Sequence, residues 1–184
     1  MAKLYLIGSL RNERIPKLAA SLREKLPDVE VFDDWYAAGP EADDFWKSYE
    51  QNRGRSYEEA LAGYAARHVF AFDKHHLDTS SHALLILPAG KSGHMELMYA
   101  AYGVRANTAI LLDPEDVRWD VMYQFIPTIL RREEDVQDWI RKTSPEVYRH
   151  GDICIAAGGR RLEAGVSDGG WPAGLLSERI GGSR

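Results

Sequence analysis

The run LLILPAGKSGHMELMYAAYG, Leu84 to Gly103, most constrains what this chain can fold into. Leu84, Leu85, Ile86 and Leu87 make a short apolar run, as in a strand covered on both faces. Pro88 stops it. Ala89, Gly90, Lys91, Ser92 and Gly93 follow as a small-residue loop whose backbone a ligand can approach closely. A helical pattern then runs from about His94 to Gly103, a glycine suited to a C-terminal stop. Glu96 is expected in the first turn of that helix, at the carboxyl end of the strand, where open α/β sheets hold their ligands. The helix dipole there favours a negative charge. Two readings of Glu96 stay open: an ionised carboxylate that attacks an electrophilic carbon, or a first-turn glutamate that only complements the dipole.

The rest of the chain repeats the strand-then-helix order. Strands are expected at Lys3–Ile7, Val29–Phe32, Thr108–Leu112 and Ile126–Leu130, beside the central one. Helical spacing is expected from Arg11-Asn12 to Lys25, from Glu41 to Gln51, from Tyr57 to Leu77 as one long helix, and from Glu133 to Lys142. In the long helix Ala60, Leu61, Tyr64, Ala65, His68 and Phe72 are expected to be mostly core. Strands alternating with helices indicate an α/β fold, a doubly wound, flavodoxin- or Rossmann-like sheet of five parallel strands with helices on both faces. That domain spans 1–142. Residues 143–184 change character, with repeated Gly-Gly pairs and fading periodicity, and are expected to be a weakly structured extension packed on the domain or on a partner subunit.

Composition excludes several classes. The 184 residues are 45% hydrophobic and 28% charged, which fits a soluble globular chain. A formal net charge of −5 argues against a general nucleic-acid binder. Cys154 is the only cysteine, so no intrachain disulfide forms and a reducing cytoplasm is expected. The start MAKLYLIGSL reads as a strand rather than a signal peptide, and no apolar run reaches membrane-spanning length.

Candidate site residues cluster just past the strand ends. Gly8 and Ser9 turn the chain after the first strand, with Arg11 beside them; this turn can hold a phosphate or a sugar hydroxyl, or be an ordinary cap with a solvated arginine. Asp33 and Trp35 follow the second strand; they can bond sugar hydroxyls or stack a base, or simply cap and cover the core edge. Asp73, near the end of the long helix, can orient a substrate or pass a proton, or sit in a salt bridge. His75, His76, Asp78 and His82 lie close by, but their spacing fits no metal motif, so no metal is expected.

Together, Tyr5, Gly8-Ser9, Asp73 and the block PAGKSGHMELMYA resemble the nucleoside 2-deoxyribosyltransferase superfamily, which includes nucleoside-monophosphate N-glycosidases. The likeness covers roughly Lys3 to Lys142 in element order, and the block around Glu96 is its specific part. It implies an enzyme that cleaves the N-glycosidic bond of a (deoxy)nucleoside or its monophosphate. Glu96 would be the nucleophile that forms a glycosyl intermediate, with Asp73 assisting at the base and Tyr5 beside the nucleophile. The sugar would pass to another nucleobase or to water; hydrolysis of monophosphates alone, or nucleotide binding without turnover, are the alternatives. Ser9, Arg11 and Ser92 match positions that contact a 5′-phosphate, and Gly8, Asp33, Trp35, Gly90, Lys91 and Gly93 complete the expected substrate surface. The resemblance implies no cofactor, small-molecule partners only, and a homo-oligomer.

Overall fold

The computed structural model describes residues 1–115 and 119–144. Five strands, β1 (Ala2–Ile7), β2 (Val29–Phe32), β3 (His82–Ile86), β4 (Asn107–Leu111) and β5 (Thr128–Leu130), form one sheet in the order β2-β1-β3-β4-β5. Every neighbouring pair is parallel. This is the doubly wound order in which the winding reverses between β1 and β3, and the crevice past their carboxyl ends is where such sheets accept ligands.

The two faces carry separate cores, as strand alternation demands. Leu4, Leu6, Leu84, Ile86, Ala109 and Leu111 face helices α1 (Arg14–Lys25) and α6 (Glu133–Thr143). The intervening residues Tyr5, Ile7, Ala83, Leu85 and Ile110 face the opposite side, with Leu77 of α4 (Tyr64–Asp78) and Leu97 of α5 (Lys91–Met98). Central β3 is buried along its whole length, which is why its sequence is apolar without alternation. Even its one polar residue is enclosed: His82 bonds Ser81, Thr143 and Ser144, and burial lowers its pKa to about 4.

Three expectations need correction. α1 begins at Arg14, not at Arg11-Asn12, because Asn12 folds into the preceding turn, where its side chain bonds backbone. The stretch from Tyr57 is two helices, α3 (Tyr57–Leu61) and α4, after α2 (Ala42–Asn52). Ser56 and Glu59 form a capping box that starts α3, and Gly63 separates the two. That stretch is also not mostly core. Ala60 is buried, but Leu61, Tyr64, Ala65, His68 and Phe72 are exposed, because only one edge of α4 meets the sheet. The expected extension 143–184 lies outside the described residues except for Thr143, which ends α6, and buried Ser144. No helix among the described residues is long and apolar enough to cross a membrane.

Candidate active site

The local sequence sets where each acid points. Glu96 is the sixth residue of α5, which starts at Lys91 after the Gly90 cap. Glu96 therefore lies in the second turn, not in the first as expected of a helix starting near His94. The loop is shorter than expected, and the helix takes in Lys91, Ser92 and Gly93. The first-turn dipole is then not what governs its charge. Asp73 lies on α4, five residues before that helix ends.

Both acids line one cavity of about 370 Å³, within the roughly 300–1,000 Å³ usual for small-molecule sites. The two helices contribute to it with the same spacing. α4 gives Phe70, Asp73, Lys74 and Leu77, and α5 gives Ser92, Met95, Glu96 and, one residue past its end, Tyr99. Each set is i, i+3, i+4, i+7, one stripe along a helix. Tyr5 of β1 is the sheet's contribution. It is 1% exposed, and its ring packs 5.0 Å from that of Phe32, its register partner on β2.

The electrostatics follow from that enclosure. Burial, with the nearby Asp73 charge adding to it, raises the Glu96 pKa to about 7. Burial raises Asp73 to about 6. The Tyr5 hydroxyl is pushed upward, first by burial and then by the Glu96 and Asp73 charges, so it stays a neutral phenol. The Asp73 Oδ1 atom is buried without a hydrogen-bond partner. Among the described residues no hydrogen bond or ion pair engages the Glu96 carboxyl, and no salt bridge engages Asp73. Unmatched buried carboxyl atoms are uncommon, and their natural complement is a ligand that bonds them.

The other expected residues fall into two groups. Ser92 lines the cavity, and Gly93 packs α5 onto the sheet, where an added Cβ would stand 3.3 Å from Ile7 and 3.2 Å from Leu85. Gly90 and Lys91 sit at the start of α5 beside it. Gly8, Ser9, Arg11, Asp33 and Trp35 are not among the cavity-lining residues. Gly8 lies under α1, where an added Cβ would clash with the Ile15 side chain. Ser9 accepts from the Arg11 backbone N–H at 3.2 Å, and the Arg11 guanidinium pairs with Asp44 at 2.9 Å. Asp33 pairs with Arg23, and the Trp35 indole donates to the Leu6 carbonyl at 2.8 Å.

Sequence reading missed two residues that position the loop before α5. Buried Asn12 donates to the carbonyls of Ile86 and Pro88, both at 3.3 Å. Arg14 donates to the Leu87 carbonyl at 2.9 Å and pairs with Glu133 at 3.3 Å. The turn after β1 thus clamps the end of β3. Nothing in the local pattern marks Asn12 or Arg14, because their partners lie more than seventy residues away. The histidines are dispersed: His76 stacks on Phe32 at 3.9 Å and bonds Lys3, while His82 sits at the far end of β3. Among the described residues no group of three or more His, Cys, Asp or Glu could hold a metal.

Comparison with known proteins finds likeness among solved structures. A solved chain of a 2-deoxyribosyltransferase from the psychrotolerant bacterium Bacillus psychrosaccharolyticus is 18% identical, covering 74% of this chain and 91% of its own, with a TM-score of 0.48. No family model matches the sequence. No curated protein matches it either.

Proposed function

We propose that this protein cleaves the N-glycosidic bond of a (deoxy)nucleoside or its monophosphate, with Glu96 as nucleophile and Asp73 as the acid at the base. The observation that carries the reading is the convergence of Tyr5, Asp73 and Glu96 on one cavity, two of them carboxyls that burial holds near neutral pH. The sequence resemblance assigns the same three residues to the same chemistry.

In this reading the carboxyl pair carries one proton, because two buried anions side by side repel. With that proton on Asp73, ionised Glu96 adds to the anomeric carbon as the C–N bond breaks. Asp73 passes its proton to the departing base, which leaves neutral. Positive charge building on the sugar favours the Glu96 anion at that moment, so the substrate itself draws the proton to the correct carboxyl. The ester at Glu96 is then opened by water, giving hydrolysis, or by a second base, giving transfer, and either route retains configuration. Tyr5, a neutral phenol, supplies an O–H beside the nucleophile.

Substrate charge is the next choice. Arg11 is matched by Asp44 and Lys74 by Asp78, so these two cations are already neutralised. That pairing favours an uncharged nucleoside over a monophosphate, even though Ser92 lines the cavity. The reading carries a homo-oligomer with it: Phe70 and Met95 line the cavity yet are each 67% exposed, leaving an apolar wall that a second copy can cover.

The test is incubation with a panel of nucleosides and monophosphates, with and without an acceptor base, followed by chromatography. Wild type releases or exchanges base on at least one of them, and Glu96→Gln does not. Full activity of Glu96→Gln on a confirmed substrate removes the nucleophile assignment. Sedimentation of wild type and Phe70→Glu tests the assembly, with a monomeric wild type ruling it out.

A further inference from the structure

Lys74 lies beside the two acids and would be expected to pair with one of them. It does not. Its ammonium donates to Asp78 Oδ2 at 2.6 Å and to the Tyr99 hydroxyl at 2.7 Å. The Tyr99 hydroxyl in turn donates to Asp78 Oδ1 at 2.7 Å. The three side chains close a ring of three hydrogen bonds, and the ammonium also lies 4.9 Å from the centre of the Tyr99 ring. Yet Lys74 and Tyr99 line the cavity that holds Asp73 and Glu96. A cation free to rotate there would move to the buried carboxyls, because opposite charges attract more strongly where water is excluded.

We propose that Asp78 and Tyr99 are positioning residues that tether the Lys74 ammonium to the cavity rim, away from the Asp73 and Glu96 carboxyls. The position of Tyr99 is itself built into the chain. It opens a π-helical segment, Tyr99–Val104, that continues α5, a distortion often found at functional sites. The Tyr99 ring lies over Gly103, where a Cβ would stand 2.8 Å from a ring carbon. Only a residue without a side chain leaves the ring where its hydroxyl reaches both partners.

The charges agree with this arrangement. The titratable groups around the cavity are Tyr5 from β1, Asp73, Lys74 and Asp78 from α4, Glu96 from α5 and Tyr99 from the π segment, with His75 acting on Asp78. Burial is the largest influence on both cavity acids, and the Asp73 charge adds to it at Glu96. The tether therefore keeps a proton available between the two acids at neutral pH. Without it, Lys74 would hold both ionised and leave no acid for a departing base.

The inference deepens the proposed function, but its test reads titration rather than turnover. Carbon-13 NMR of labelled Asp and Glu side chains follows the ionisation of Asp73 and Glu96 in the full-length protein, with Asp73→Asn and Glu96→Gln used for assignment. Tyr99→Phe, Asp78→Asn and Gly103→Ala are each expected to lower the pH at which the pair titrates by about half a unit or more. In a Lys74→Met background, Tyr99→Phe and Gly103→Ala are expected to have no such effect. The proposal is overturned if Tyr99→Phe leaves both titrations in place, or if its effect persists without Lys74. Turnover of Glu96→Gln, measured separately, decides the enzymatic reading and leaves the titration result standing.

Discussion

Asp73 and Glu96 reach one cavity from two different helices, and the charge of Asp73 raises the pKa of Glu96. The two carboxyls therefore titrate as a pair rather than as independent acids. In the proposed mechanism the reactive form holds a single proton, so activity should fall on both sides of a narrow optimum. With values of about 6 for Asp73 and about 7 for Glu96, kcat/KM is expected to be bell-shaped, with its limbs near those pH values. A profile that stays flat from pH 5 to pH 9 would count against a shared proton.

The same burial makes Glu96 a liability for folding at high pH. Its folded pKa is raised from 4.5 to about 7. The stability it contributes is therefore fully present below its unfolded pKa and is lost as pH rises through about 7. Glu96→Gln removes the ionisable group. The variant should be more stable than wild type at pH 8.5, by on the order of 2 kcal/mol, and nearly equal to it at pH 4. Urea unfolding at both pH values measures this. A variant less stable than wild type at pH 8.5 would place Glu96 in a stabilising contact instead.

Asp73→Asn keeps the shape of the side chain but cannot pass a proton. On a nucleoside with a basic leaving group the expected loss in kcat is about 10²- to 10⁴-fold. On an analogue whose base leaves readily without protonation the loss should be much smaller. Equal losses on both substrates would assign Asp73 to binding rather than to proton transfer.

Asn12→Ala removes the donor that holds the Ile86 and Pro88 carbonyls. The site is buried, so the two acceptors lose a partner that water cannot easily replace. A cost of about 1–3 kcal/mol in unfolding free energy is expected, with the denaturant midpoint falling and the slope unchanged. Asn12→Asp, which keeps the acceptor toward the Arg14 N–H but loses the donor, should cost at least as much. An unchanged midpoint in Asn12→Ala would mean that the clamp carries no stability.

Much of the fold was legible because apolar runs and helical periods are local. The strands at Val29–Phe32 and around Leu84–Ile86 stand where the sequence put them, and alternation of strand and helix led to the parallel sheet. What failed was also local in origin. Gly63 and the Ser56-to-Glu59 cap were readable signs of a break, but helical spacing across Tyr57–Leu77 overrode them. Exposure of Tyr64 and Phe72 was not readable, since spacing says which residues share a face and not whether that face meets the sheet. Of the cavity, Tyr5, Asp73, Ser92 and Glu96 were named in advance. Phe70, Leu77 and Tyr99 could have been found by stepping three or four residues from each acid, and Met95 by stepping three from Ser92. Asn12 and Arg14 could not, because their acceptors are created by the chain's return to the sheet.

Gly93 does not line the cavity, and yet in the proposed function it would set how far down a substrate can sit. Its missing side chain lets α5 lie directly on Ile7 and Leu85. Even one methyl group there would ask the Leu85 and Ile7 side chains, or the helix above them, to give by a few tenths of an ångström. Where the helix gives, the carboxylate one turn further along would rise with it. The reach of this cavity is thus tuned from underneath, at a residue no substrate touches, and variation at position 93 could adjust the grip on a sugar without altering any group that reacts.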